Sequence, residues 1–396
     1  MLHSAVSESR LDNHPSATAA ACADSHTSAD VFNQVLAEIR ARREEFDAKR
    51  HVPKDMVARL KQIGVYRAAT PRCFGGDARS PSDFLRLIET ISEADGSAGW
   101  VASFGSAAVY LAALPRDTLA RLYADGPDIA FAGGLFPIQP AQKADGGWRI
   151  SGTWKFASGC KGADVLGVGI GTGNGGKPLT AVLRPEAVEI VENWEVIGLR
   201  GTGSHDLRIK DAFVADEWTF VRGGTPSIDE PLYRYPSIAY AAQVLAVVNL
   251  GVARAALDEV SVMAGGRSGI TGAPKMADRA YLRIAVAKAE ATLRSARAFF
   301  YDATDAAWDS ILKGDAVSPE QTSLLRLSAV QAARAGAEAV QTAYLLAGTA
   351  AIYDGHPLQR YLRDAMVVTQ HAFLGEGMYD GAGSVFLGVP PMPGYI

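Results

Sequence analysis

Cysteine is scarce in this chain of 396 residues: Cys22, Cys73 and Cys160 are an odd number at unrelated spacings. They argue against a disulfide framework and a zinc site, and they suit a reducing cytoplasm. Seven histidines contain no HxxxH pair, so no metal site is expected. A net charge of −4 leaves no electrostatic footprint for nucleic acid. No run of 18 or more apolar residues appears, so no transmembrane helix is expected. The N-terminus has no charged region followed by an apolar core and does not read as a secretory signal. Gly171-Thr172-Gly173 is glycine-rich, but no helical period follows it, so a dinucleotide-binding turn is a weak reading and the chain shows no nicotinamide motif.

What is present is an apolar fraction of 48% with 21% charged residues, enough for one large core or two to three domains. Residues 1–27 are rich in Ala, Ser, His and Asp without an apolar period and read as a disordered tail, with Ser28 as a plausible first helix cap. Residues 28–130 read as a helical domain. Val31, Phe32, Val35, Leu36 and Ile39 recur at helical spacing, Gly64 stops a second helix, and Ser80-Pro81 with Asp83 opens another.

Residues 131–225 carry short β-prone runs, at 148–150, 165–170, 179–183, 188–191 and 207–214, separated by turns such as Asp145-Gly146-Gly147 and Asn174-Gly175-Gly176. With no helices between them they predict an antiparallel sheet or small barrel. The helical period returns over 226–396, where Ser318-Pro319 and Gln321 form a capping box and the alanines of 332–343 permit close helix approach. Four long helices there would form a bundle. The expected architecture is mainly α with a central β domain.

Several segments in this order resemble the acyl-CoA dehydrogenase superfamily over roughly 30–390. They are Phe74-Gly75-Gly76, Glu93-Ala94-Asp95-Gly96-Ser97-Ala98-Gly99-Trp100, Ser151 to Gly159, Gly198-Leu199-Arg200-Gly201-Thr202-Gly203-Ser204 and Pro357 to Asp364. Trp154 to Gly159 and Gly198 to Ser204 look more like the flavin-dependent two-component monooxygenases of that superfamily than like its dehydrogenases.

The stretch Arg360 to Phe373 separates the two chemistries. Many dehydrogenases place a glutamate base some seven residues after Arg-Asp. Here that register, counted from Arg363-Asp364, falls on His371-Ala372-Phe373, and Glu376 comes four positions later beside glycines. The resemblance implies an oxygenase component that takes reduced flavin (FADH2 or FMNH2) from a separate NAD(P)H:flavin reductase. It would use O2, through a C4a-hydroperoxyflavin, to hydroxylate a small phenol- or indole-type aromatic. It also implies a cytoplasmic homotetramer. An acyl-CoA dehydrogenase with a relocated base is the alternative, and a non-catalytic helical assembly protein is a third.

By the same resemblance His371 would orient or deprotonate the substrate or donate a hydrogen bond; otherwise it bonds a backbone carbonyl at a helix end. Imidazole suits proton handling because its unperturbed pKa, about 6.5, lies near working pH. Ser158 would bond the flavin N5, or be a turn residue. Trp154 and Phe156 would wall the flavin, or be buried strand aromatics, and the amides of Ala157 and Ser158 would face it. Arg267 stands where dehydrogenases bind a flavin pyrophosphate, although the Gln-Phe-Gly that usually follows is replaced by Gly269-Ile270-Thr271-Gly272. Trp100, Ser103, Tyr110 and Phe373 are candidates for the substrate wall, with Ser106 beside them. The relatives' second histidine after Gly-Trp is missing from 100–110, which shifts the expectation toward an indole-type or otherwise neutral aromatic substrate, such as an indole acid. Arg200 and Arg363 are expected to be structural ion-pair partners.

Overall fold

A computed structural model describes residues 17–173, 176–265 and 275–396, with backbone alone for 17–28. Helices fill the chain to Leu122: α1 (Ala17–Ala41), α2 (Arg43–Lys49), α3 (Lys54–Gln62), α4 (Pro81–Ala94), α5 (Gly96–Ser103), α6 (Ala108–Leu111) and α7 (Arg116–Leu122). Helix α1 begins at Ala17, so Ser28 lies inside it and does not cap it; residues 1–16 of the expected tail lie outside the described residues. The other two local signals hold. Ile63 caps α3 before Gly64 at φ +79°, and the Ser80 side chain accepts the Asp83 amide at 3.2 Å to start α4.

Seven strands follow: β1 (Phe131–Ala144), β2 (Gly147–Ala157), β3 (Val165–Gly171), β4 (Leu179–Leu183), β5 (Glu189–Val191), β6 (His205–Ala215) and β7 (Thr219–Val221). The Asp145-Gly146 turn joins β1 to β2 as expected, with Ala144 opposite Gly147. The Asn174-Gly175 turn lies outside the described residues. The barrel expectation is corrected. The strands form one open sheet in the order β5-β6-β2-β1-β3-β4-β7, and β1 and β3 run parallel while the other pairs are antiparallel. The sheet is open because its edge strands, β5 and β7, each pair with one neighbour and not with each other.

The remaining helices are α8 (Ser237–Ala264), α9 (Ala280–Leu312), α10 (Pro319–Ala347), α11 (Pro357–Val368) and α12 (Gly377–Phe386). Three of these are long and two short, so the bundle has three long members where four were expected. Ser318 and Gln321 form the reciprocal capping box that starts α10.

Close packing explains the small residues. A Cβ on Gly336 of α10 would lie 2.6 Å from the Asn249 carbonyl of α8, and one on Gly251 of α8 would lie 2.3 Å from the Glu89 carbonyl of α4. Helix α8 is thereby sandwiched between α4 and α10. It is long and apolar enough to cross a membrane, but 83% of its apolar window is buried inside the protein, so it is the core helix. Tyr240, Val247, Val248 and Leu257 on α8 share one apolar cluster with Phe84 and Ile88 of α4 and Leu325 and Val340 of α10. Neither Arg200 nor Arg363 forms an ion pair among the described residues. Arg363 donates to the Gln359 carbonyl at 3.3 Å, and it is Arg360 that pairs, with Asp47 at 3.4 Å.

Candidate active site

A cavity of about 540 Å³ lies where α5, α6 and the start of α8 meet the sheet and the loop after α11. Its wall is mostly apolar; its ionisable groups among the described residues are Tyr110, Lys155, Arg222 and His371, with no Asp or Glu. This size and lining are those of a small-molecule or cofactor site.

Trp100 is delivered by tight crossing of α4 and α5. The buried Asp95 caps α5 by accepting the Ala98 amide at 2.8 Å, and a Cβ on Gly99 would lie 2.0 Å from the Ser92 hydroxyl oxygen. The Trp100 indole then donates from Nε1 to the Ser158 Oγ at 3.1 Å. Ser158 follows β2 through a turn in which its amide donates to the Phe156 carbonyl at 2.9 Å, Phe156 itself sitting at φ +64°.

Beyond Ser158 the hydroxyls form a chain. Ser158 Oγ is 2.6 Å from Ser204 Oγ, Ser204 Oγ is 2.7 Å from Thr202 Oγ1, and Thr202 Oγ1 donates to the Leu199 carbonyl at 2.9 Å. Each hydroxyl has one proton, and the carbonyl can only accept. Thr202 therefore spends its proton on Leu199, Ser204 donates to Thr202, and Ser158 donates to Ser204. With Trp100 donating to it as well, Ser158 faces the cavity as an acceptor.

His371 is not helical. It follows α11 with φ −66° and ψ 137°, and its Nδ1 accepts the Phe373 amide at 3.2 Å. It is this bond that fixes the ring, not the bond to a backbone carbonyl weighed as the alternative. Burial, and then the Arg222 cation, push the His371 pKa down to about 4. A neutral ring with an accepting Nδ1 carries its proton on Nε2. Of the roles expected of His371, to orient, to deprotonate or to donate a hydrogen bond, this arrangement favours donation from Nε2. Its ring lies edge-on to Trp100 and Phe373, at centroid distances of 5.9 and 5.1 Å.

The structure gathers His371, Ser158, Phe156, Trp100, Tyr110, Phe373 and Ser106 around this cavity. Phe156 stands at its mouth, edge-on to Trp194 at 6.3 Å. Trp154, Ala157 and Ser103 are corrections. Trp154 points to the other face of β2, fully buried in the sheet core, where Nε1 donates to the Gly169 carbonyl at 2.7 Å. Ala157 belongs to that same core, because alternation along the strand sends 154 and 157 inward once the turn at 156 is made. Ser103 turns back to bond the Trp100 carbonyl at 2.7 Å inside the helix. Arg267 lies outside the described residues. Glu376, the base available to the dehydrogenase alternative, is exposed and paired with Arg334 at 2.8 Å, away from the cavity.

Sequence reading missed Arg222 and Trp194, which stand in irregular segments with no periodicity to mark them. It also missed the function of Asp364. That buried carboxyl accepts the Leu199 amide at 2.6 Å, and a Cβ on Gly198 would lie 2.2 Å from the Arg363 carbonyl. The loop that ends the hydroxyl chain is therefore seated directly on α11.

Comparison with known proteins agrees with this geometry. The family model for the acyl-CoA dehydrogenase N-terminal domain matches residues 27–117, and that for the C-terminal domain matches 243–376. The chain is 53% identical over 382 residues to an indole-3-acetate monooxygenase of Pseudomonas putida, covering 95% of this chain and 98% of that protein. It is 30% identical over 385 residues to an FADH(2)-dependent resorcinol hydroxylase, oxygenase component, of Rhizobium sp., covering 90% and 93%. The crystal structure of 3-HSA hydroxylase from Rhodococcus sp. RHA1 superposes with a TM-score of 0.87 at 24% identity, covering 94% of this chain and 100% of that one. The chain belongs to the acyl-CoA dehydrogenase family, in its branch of flavin-dependent monooxygenases.

Proposed function

We propose that the protein is the oxygenase component of a two-component system that hydroxylates a small aromatic acid of the indole-3-acetate kind. The observation that carries this reading is the cavity's ionisable lining: a histidine, a tyrosine and two cations, with no carboxylate among the described residues. Dehydrogenation of an acyl-CoA needs a carboxylate base at the α-carbon. The relatives' names point the same way, being indole-3-acetate monooxygenase and FADH(2)-dependent resorcinol hydroxylase, oxygenase component.

The residues fit a flavin. Phe156 and Trp194 offer aromatic faces at the mouth, and Ser158 offers an unspent lone pair inside. That lone pair suits an N–H, the state of N5 in reduced flavin, and not the bare N5 of oxidised flavin. Reduced flavin, FADH2 or FMNH2, supplies the electrons that activate O2 when bound. The chain's own part is to exclude water with its aromatic wall, to hold the flavin edge through Ser158, and to aim the His371 Nε2–H at the site of oxygen transfer. The flavin is reduced by a separate NAD(P)H:flavin reductase.

We further propose a homotetramer in the cytoplasm. Exposed apolar side chains on the helical domain, Tyr281, Ile284, Leu345, Tyr353, Phe386 and Leu387, support burial against other copies. Light scattering after gel filtration would settle the number, a monomer refuting it. The activity is tested by oxygen uptake with indole-3-acetate in the presence and absence of a flavin reductase and NADH. Uptake matched by hydroxylated product only with reductase is expected. Anaerobic bleaching of bound flavin by an acyl-CoA would overturn the reading.

A further inference from the structure

Arg222 follows β7 and joins the cavity wall with no acidic partner. Its guanidinium carbon lies 4.8 Å from the Tyr110 ring centroid and 5.8 Å from that of Phe373. Its Nε is buried without a hydrogen bond, and it forms no ion pair among the described residues. Other buried arginine nitrogens are orphaned too, but none of those residues lines this cavity. Arg326, on the far side of Phe373, is engaged by the Tyr395 and Gly394 carbonyls at 2.6 and 2.9 Å.

The two rings orient the guanidinium more than they neutralise its charge, so the cation is left without a counter-charge in the cavity wall. A planar guanidinium that lines a cavity without an acidic partner is suited to a two-oxygen anion. Lys155, the other cation in the wall, is exposed to solvent, where an ion pair contributes little. Arg222 also keeps company with Tyr110, Phe373 and His371.

We infer that Arg222 is the subsite for the carboxylate of the aromatic substrate, selecting acids over uncharged rings of the same shape. The inference rests on the aromatic-hydroxylase reading above and adds the residue that sets substrate class. The ring of such an acid would lie among Tyr110, Phe373, Trp100 and His371.

The test is equilibrium binding of indole-3-acetate and of uncharged indole-3-acetamide, under argon with reduced flavin present, to wild type, R222M and R222K. Wild type should prefer the acid. The acid-to-amide affinity ratio should fall on the order of 10- to 100-fold in R222M, as loss of a charge-assisted bond implies, and far less in R222K. R222Q replaces R222M should the latter fail to fold. An unchanged ratio in R222M overturns the inference. So does a fall in affinity for reduced flavin with the ratio preserved, which would make Arg222 a flavin-phosphate anchor. A wild type that binds the acid yet hydroxylates no aromatic ring would sink the proposed function instead.

Discussion

The Trp100 indole donates to the Ser158 hydroxyl at 3.1 Å, at the near end of a hydroxyl chain whose direction is set at its far end by the Leu199 carbonyl. Because Ser158 receives a proton from Trp100 and passes its own to Ser204, it has only a lone pair to offer the cavity. S158A should leave the buried Trp100 N–H and the Ser204 acceptor unmatched, at a cost of about 1–3 kcal/mol. It should also lower affinity for reduced flavin more than for oxidised flavin. Titration of both redox states into wild type and S158A checks this, and equal losses in the two would refute the acceptor assignment.

His371 enters the cavity as a donor that does not titrate near neutrality. Its pKa, pushed down to about 4 by burial and Arg222, lies below the unfolded value of about 6.5. The folded chain thus binds fewer protons at this site, so its contribution to stability is present above pH 6.5 and is lost as pH falls toward 4. Replacing His371 by Ala should reduce product formed per O2 consumed on the order of 10- to 100-fold, while H371Q, which keeps an N–H, should retain more. Neither the wild-type rate nor its coupling should show an inflection near pH 6.5 from this residue. Such an inflection, abolished in H371Q, would contradict the donor role.

Asp364 carries a pH dependence of opposite sign. Burial first, and the neighbouring Asp95 second, push its carboxyl up to about 8. The folded chain keeps a proton that the unfolded chain releases near pH 4. Stability from this group is therefore full below pH 4 and erodes up to about pH 8, by at most ~1.4 kcal/mol per pH unit. D364N can still accept the Leu199 amide and has no proton to lose. Thermal melts from pH 6 to 8.5 should fall less steeply for D364N than for wild type, and parallel curves would refute the protonated assignment.

Phe156 trades backbone comfort for position. It sits at φ +64°, a region costly for a side chain, with its ring 64% exposed at the cavity mouth. F156G should stabilise the fold slightly, by about 1 kcal/mol or less, and weaken flavin binding at the same time. Calorimetry and flavin titration on one preparation check both signs. A variant both less stable and unchanged in flavin affinity would show that the ring serves packing.

Much of this was legible in the residue pattern because local rules decide it. The Ser80 and Ser318 caps, the stop at Gly64 and the β1–β2 turn are settled within a few residues of chain. The absence of a carboxylate at the position of His371 could likewise be counted. What depends on distant chain was not readable. The parallel pairing of β1 with β3 is a choice among equally β-prone partners, as is the lack of pairing between β5 and β7 that leaves the sheet open. Trp154 and Phe156 look alike in sequence, yet the positive φ at 156 sends one inward and the other to the cavity mouth. Arg222 gave no signal, because its importance lies in the partner it lacks.

The central claim is that this cavity inserts oxygen into an aromatic ring and does not desaturate an acyl chain. Turnover of indole-3-acetate under 18O-labelled dioxygen, with NADH, flavin and a reductase supplied, tests it most directly. The account predicts a product heavier by one labelled oxygen atom, formed in proportion to O2 consumed, with the label falling away in the His371→Ala variant as peroxide release rises. An unlabelled product, or oxygen uptake that ends wholly in peroxide in the wild type, would contradict it.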